Sequence, residues 1–316
     1  MSARRALVST GVFALIALAA APFAGGALDG ESSRFILFDI RIPRVLMGFF
    51  CGAGLAVAGV VLQAILRNPL ATPYTLGVAS GAAFGVVLAI VLGIDLAVYR
   101  LLGRPVVGMA GATLVIFLAY RTARVRGRLP SHTLLLAGVA LTFLFSSLIL
   151  AIQYTATPDH AIRILRWLVG SLEAGLGYGP PSIVGGCVAF GIAMLLPLGR
   201  AFNALSAGEE AALGVGVDVE RVVVRGYLVS SLMVGAIVAF VGPIGFVGLV
   251  VPHALRLIGV VDNRILLPAA ALAGGGFLVT CDAATVLWER RFPVGVLTPM
   301  LGGPFFLALL LRRKAG

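Results

Sequence analysis

The stretch Arg41–Gly81, RIPRVLMGFFCGAGLAVAGVVLQAILRNPLATPYTLGVASG, decides the fold. Twenty-two residues without a formal charge separate Arg44 from Arg67. As a helix rising about 1.5 Å per residue they cross a hydrocarbon core of roughly 30 Å. Gly48, Gly52, Gly54 and Gly59 punctuate the run, and small residues let buried membrane helices approach closely. Arg-Ile-Pro-Arg is expected at the mouth of this span. Pro69 and Pro73 at its foot are expected to stop the helix, because proline lacks the N–H and disfavours helix in the residue before it.

Composition extends the same reading to the rest of the chain. Of 316 residues, 60% are hydrophobic and 12% charged, about half the charged fraction of a soluble domain. This is a polytopic membrane protein. The net charge of +11 would point to nucleic acid in a soluble protein. Here the arginines stand singly or in pairs between apolar runs, so they are read as topology signals and lipid-headgroup contacts, with no nucleic acid partner. Cys51, Cys187 and Cys281 all lie inside apolar runs and are expected to be small packing residues, with no disulfide framework. His132, His160 and His253 are far apart, and no metal site or cofactor is expected.

Charge-poor runs place ten spans at about 7–24, 45–66, 76–94, 105–120, 133–152, 182–198, 222–241, 244–258, 266–286 and 294–311. The fold class is therefore all-α, a single transmembrane domain over 1–316. The N-terminal run has the shape of a signal peptide, but with so many spans behind it an uncleaved first helix is expected. The eighth span is short and carries Pro243 and Pro252, which are expected to break it. Irregular backbone at membrane depth requires burial in protein or a watery cavity. With the N-terminus inside, 15 basic residues fall on the cytoplasmic side and 9 outside, which puts both termini in the cytoplasm. A weak echo links GVASGAAFGVVL near residue 77 to GPIGFVGLVVPH near residue 242.

Chemistry-bearing groups are few. No glycine-rich loop is followed by a lysine, since the single lysine is Lys314, so the chain is not expected to hydrolyse ATP. Asp282 is the lone carboxylate of the ninth span. It is either a functional ionisable group or a solvated or helix-packing one. The longest polar connection on the cytoplasmic side, 199–225, has room for two short helices, with Ser206 as a candidate cap, Glu209 and Glu210 in a first turn, and Gly214 and Gly216 as a break.

The ordered motifs R-x-P-R, GxxLAxAGxxxQ, RNPLAxP and LGVxSGA resemble the permease subunits of bacterial ABC importers for cobalamin, haem and ferric siderophores. GPIGFVGLVVPHALR at 242–256 and PVGVLTPMLGGPFFLALLLRR at 293–313 extend the likeness over most of the chain. The resemblance implies a homodimer in the inner membrane with its path at the dimer interface, two separate ATP-binding subunits and one extracytoplasmic substrate-binding protein. It assigns Arg41 and Arg44 to docking of that binding protein, through charge-assisted pairs with carboxylates. Glu209, Glu210, Ala211, Ala212, Leu213, Gly214, Val215 and Gly216 fall where the family presses into its ATPase. Pro130, Ser131 and His132 fall at its cytoplasmic gate, with His132 departing from the small residues usual there. His132 either faces the loop or makes closure sensitive to pH. A third docking arginine falls on Val286, and Arg290 or Arg291 is the candidate replacement. The alternative class is an ion-coupled secondary transporter, which needs carboxylates or amides at mid-membrane.

Overall fold

The structure is a computed structural model and describes residues 3–25, 33–94, 103–125, 129–172, 177–287 and 292–314. Its helices, in order, are α1 (Ala3–Ala20), α2 (Ser33–Phe35), α3 (Ile42–Ile65), α4 (Val78–Val91), α5 (Gly103–Ala123), α6 (Ser131–Thr155), α7 (Pro158–Leu168), α8 (Gly179–Leu195), α9 (Gly199–Ala207), α10 (Glu209–Gly214), α11 (Val219–Val241), α12 (Val247–Leu257), α13 (Asn263–Leu287) and α14 (Val294–Lys314). The fold is all-α, as expected. Among the described residues seven helical stretches are long and apolar enough to cross a membrane. Three shorter apolar helices fall where the third, eighth and tenth spans were expected. The amphipathic helix α7 was not foreseen.

Helix α3 is the core, and its apolar window is the most buried of the seven. Its glycines explain how two neighbours reach it. A Cβ on Gly52 would lie 2.1 Å from the carbonyl oxygen of Gly274 in α13. One on Gly59 would lie 1.9 Å from that of Gly248 in α12. Backbone therefore rests on backbone at both crossings, which leaves no room for a methyl group. In lipid, where apolar burial between helices brings little, such close packing supplies much of the association.

The start of α3 corrects one expectation. Arg41 and Arg44 do not stand at the mouth of a helix, because helical backbone runs without a break from α2 through a π-helical stretch, Ile36–Arg41, into α3. Pro43 supplies the reason. It cannot donate to Asp39, four residues earlier, and the chain widens there so that Ile42 N–H reaches Leu37 instead. The Asp39 carbonyl accepts from Gly177 N–H at 3.0 Å. A proline-induced π turn thus also pins the chain ahead of α8.

The eighth segment corrects a second. Gly242 and residues 243–246 are non-helical, but Pro252 lies inside α12 and does not break it. The carbonyl that Pro252 leaves without a helical donor is that of Gly248, four residues earlier. Gln63 Nε2 of α3 donates to that oxygen at 3.1 Å. The proline is tolerated because a buried side chain of another helix replaces its missing N–H. Helices α4 and α12, the two halves of the sequence echo, both start after a left-handed residue, Gly77 (φ 76°) and Phe246 (φ 67°).

Candidate functional site

Helix α3 separates two ends of the bundle, with Arg44 at one and Arg67 just beyond the other. At the Arg67 end the 199–225 connection folds as α9, α10 and the first turns of α11, so two short helices precede the span as expected. Ser206 is not the cap. Its hydroxyl donates back to Phe202 O at 2.8 Å within α9, and Gly208 (φ 131°) stands before α10. The side-chain cap in this region is Asp218, which accepts from Arg221 N–H ahead of α11. Gly216, left-handed at φ 79°, lies in the turn that follows α10.

Asn203 keys this unit to the body. Its Nδ2 donates to Asp262 Oδ1 at 2.7 Å while its Oδ1 accepts from Asn263 N–H at 2.8 Å, tying α9 to the start of α13. The Asn203 amide and then the Arg264 N–H hold the Asp262 carboxyl below its ordinary range. Arg67 and Arg124 approach Glu209 and Glu220 at 3.6 and 3.8 Å. Both pairs are about half exposed and add little stability. On this keyed platform Ala212 is buried, while Glu209, Glu210, Ala211, Leu213, Gly214, Val215 and Gly216 are exposed. Leu213 and Val215 are 58% and 72% exposed, close to Glu209 and Glu210 in sequence.

The RNPLATP turn lies at the same end. Arg67 takes a left-handed φ of 48°, Asn68 N–H bonds Gln63 O, and Leu70 N–H bonds Asn68 Oδ1. Thr72 and Thr75 then cap one another through side chain and backbone. Of the three gate candidates, Pro130 stands before α6, and Ser131 Oγ donates to Ile65 O at 2.8 Å, satisfying a carbonyl at the end of α3. His132, in the first turn of α6, is exposed.

Sequence reasoning missed Gln63. Besides bonding Gly248, its Oε1 accepts from Arg256 Nη1 of α12. This buried amide therefore joins three motifs: the glutamine of GxxxQ, the proline-freed carbonyl, and the arginine of PHxxR. A lone glutamine at the end of an otherwise apolar 22-residue run was the available signal.

At the opposite end, Arg41 Nη1 donates to Pro22 O at 3.1 Å, holding the chain after α1. Arg44 pairs with Asp282: Nε meets Oδ2 and Nη2 meets Oδ1, both at 2.8 Å. The Asp282 carboxylate is 7% exposed and the guanidinium side 19%. Asp282 is therefore not solvated: it is a buried partner linking α13 to α3. Val286 lies near Gly25 and Arg41, whereas Arg290 and Arg291 lie outside the described residues. Cys51 and Cys281 are buried packing residues, but Cys187 of α8 is exposed, contrary to expectation.

Comparison with known proteins agrees with this architecture. The chain is 40% identical over 285 residues to the cobalamin import system permease protein BtuC of Halobacterium salinarum, covering 90% of this chain and 75% of that one. It is 38% identical over 286 residues to the hemin transport system permease protein HmuU of Yersinia pestis, covering 88% and 84%. A solved structure of a metal-chelate type ABC transporter in an inward-facing conformation superposes with a TM-score of 0.87 at 30% identity, covering 98% of this chain and 99% of that one. Residues 7–312 match the FecCD transport family. With seven membrane-length helical stretches among the described residues and that match over nearly its full length, the chain belongs to the FecCD transport family, as a multi-pass ABC permease of the inner membrane.

Proposed function

We propose that this chain forms the translocation path of an ATP-driven importer for a bulky metal chelate, of the cobalamin, haem or ferric siderophore class. Two copies assemble with two separate ATP-binding subunits and an extracytoplasmic binding protein. The observation that carries the coupling role is α10. Leu213 on this short helix and Val215 just past its end are exposed beside Glu209 and Glu210, and α10 directly follows α9, which Asn203 ties to the start of α13. An apolar patch held rigidly outside the membrane-length helices suits a protein partner better than water. ATP-driven movement of that partner then acts on α10 and passes through α9 and its Asn203 to α13.

The gate role of Pro130, Ser131 and His132 is supported by their position at the same end as α10, one hydrogen bond from the end of α3. Closure there in the dimer would alternate with opening at the Arg44 end. The second copy is assigned to the apolar face of α6, whose Leu136, Phe143 and Leu150 are exposed. The ion-coupled alternative needs a carboxylate available to a coupling ion at mid-membrane. Asp282 instead engages Arg44 near the end of the bundle.

The test is a set of single cysteines at 211, 213 and 215 in a background lacking the native three. Each should crosslink to the co-expressed ATP-binding subunit, and Leu213→Asp should abolish co-purification while the permease stays monodisperse. Full co-purification of Leu213→Asp would overturn the coupling role. Nucleotide hydrolysis by the permease alone would overturn the division of labour.

A further inference from the structure

Both outer arginines have partners within the chain. Arg41 donates to the backbone carbonyl of Pro22. Arg44 meets a full negative charge in bidentate geometry, with both guanidinium bonds to Asp282 at 2.8 Å and the carboxylate nearly out of water. A guanidinium and a carboxylate so matched form the strongest kind of side-chain pair. Its field is neutralised at close range, so a third party sees little of the charge. Asp282 also sits on α13, where Thr285 Oγ1 donates to its backbone carbonyl at 2.7 Å.

We propose that Asp282 is a built-in competitor for Arg44, a positioning residue that occupies the guanidinium until a carboxylate of the binding protein displaces it. This rests on the docking role assigned above to the arginine pair. Arg44 exchanges partners on docking, from Asp282 to the incoming carboxylate. Exchange removes the ion pair that links α13 to α3 at this end, and α13 is the same helix that Asn203 ties to α9 at the other. A binding-protein carboxylate arriving without exchange would face the charge of Asp282 as well as that of Arg44.

The test measures docking of the importer's own binding protein to the permease–ATPase complex in nanodiscs, by surface-immobilised titration. Asp282→Asn removes the competitor and keeps the shape. Docking should tighten at least about tenfold, with a steeper loss in added salt because a fuller positive charge is now offered. A purely structural pair predicts the opposite sign, since loosening α3 from α13 cannot strengthen binding through Arg44. Unchanged or weaker docking by a monodisperse Asp282→Asn complex overturns the exchange. Should that variant fail to assemble, Arg44→Gln is compared with Arg44→Gln/Asp282→Asn, which removes both buried charges together. The double variant should dock at least several-fold tighter than the single one, whose orphaned Asp282 repels the partner; equal affinities overturn the proposal. Arg41→Glu separates the two levels of the argument. If it leaves docking unchanged, the docking assignment itself fails; if it weakens docking while Asp282→Asn does nothing, only the exchange fails.

Discussion

Gly59→Ala tests whether backbone-on-backbone packing at the α3–α12 crossing holds the core. The added methyl would lie 1.9 Å from Gly248 O, 2.6 Å from its carbonyl carbon and 2.7 Å from its Cα. All three are main-chain atoms, so no rotamer can relieve the clash. Reaching ordinary contact at 3.4 Å needs the helices to part by about 1.5 Å along that line. The Gln63 Nε2–Gly248 O bond, 3.1 Å long and one turn away, is then stretched beyond useful reach. Overpacking costs about 1–3 kcal/mol, and loss of an interhelical bond in a membrane about 0.6–1.7 kcal/mol. Replacing glycine by alanine in a helix returns up to about 1 kcal/mol. The net is a destabilisation of roughly 1–4 kcal/mol. Gly186→Ala in α8 is the control, because a Cβ there meets nothing within 4 Å, and it should be neutral or slightly stabilising. The assay is the temperature at which half of each detergent-solubilised variant leaves the monodisperse peak in size-exclusion chromatography. Equal midpoints for the two variants would refute the packing argument.

Gln63→Leu should destabilise by about 1–3 kcal/mol, since it strands the Gly248 carbonyl and one Arg256 donor, and the same heating assay reads it; wild-type stability would count against the hub. The Asp262 carboxyl is held low by Asn203, so the stability it contributes is present above its ordinary value of about 3.9 and is lost as pH falls through the lowered one. Hydrogen exchange in α9 and α10, corrected for intrinsic rates, should therefore stay low down to about pH 4 and rise below it in the wild type, and be high and flat in Asp262→Asn. A cysteine at Val215, which is well exposed, should react with a membrane-impermeant maleimide in inverted vesicles but not in intact cells; labelling in intact cells would reverse the topology expected from the arginine count.

Helix content and the approximate spans were legible in the sequence because they follow from local quantities. A 22-residue run without charge, ended by Asn68-Pro69, allows few folds in a bilayer, where every backbone group must be satisfied within the segment. The short helices of 199–225 were legible for the same reason, through glycine breaks and early glutamates, although the cap was misassigned. Ser206 and Gly208 are two residues apart, and local propensity does not separate a cap from a serine that bonds back to its own helix.

What the tertiary structure alone decided are the pairings between residues distant in the chain. Arg44 and Asp282 are 238 positions apart, Gln63 and Gly248 185, Asn203 and Asp262 59. Each joins groups that look unremarkable singly, and nothing in composition or spacing says which polar group will meet which. Pro252 shows why. Sequence reading takes it as a helix breaker, since a proline leaves the carbonyl four residues earlier without its donor. Whether the helix breaks depends on a donor arriving from elsewhere, and Gln63 arrives only because Gly59 and Gly248 let two helices touch. Local physics sets which groups need a partner, and packing decides who answers.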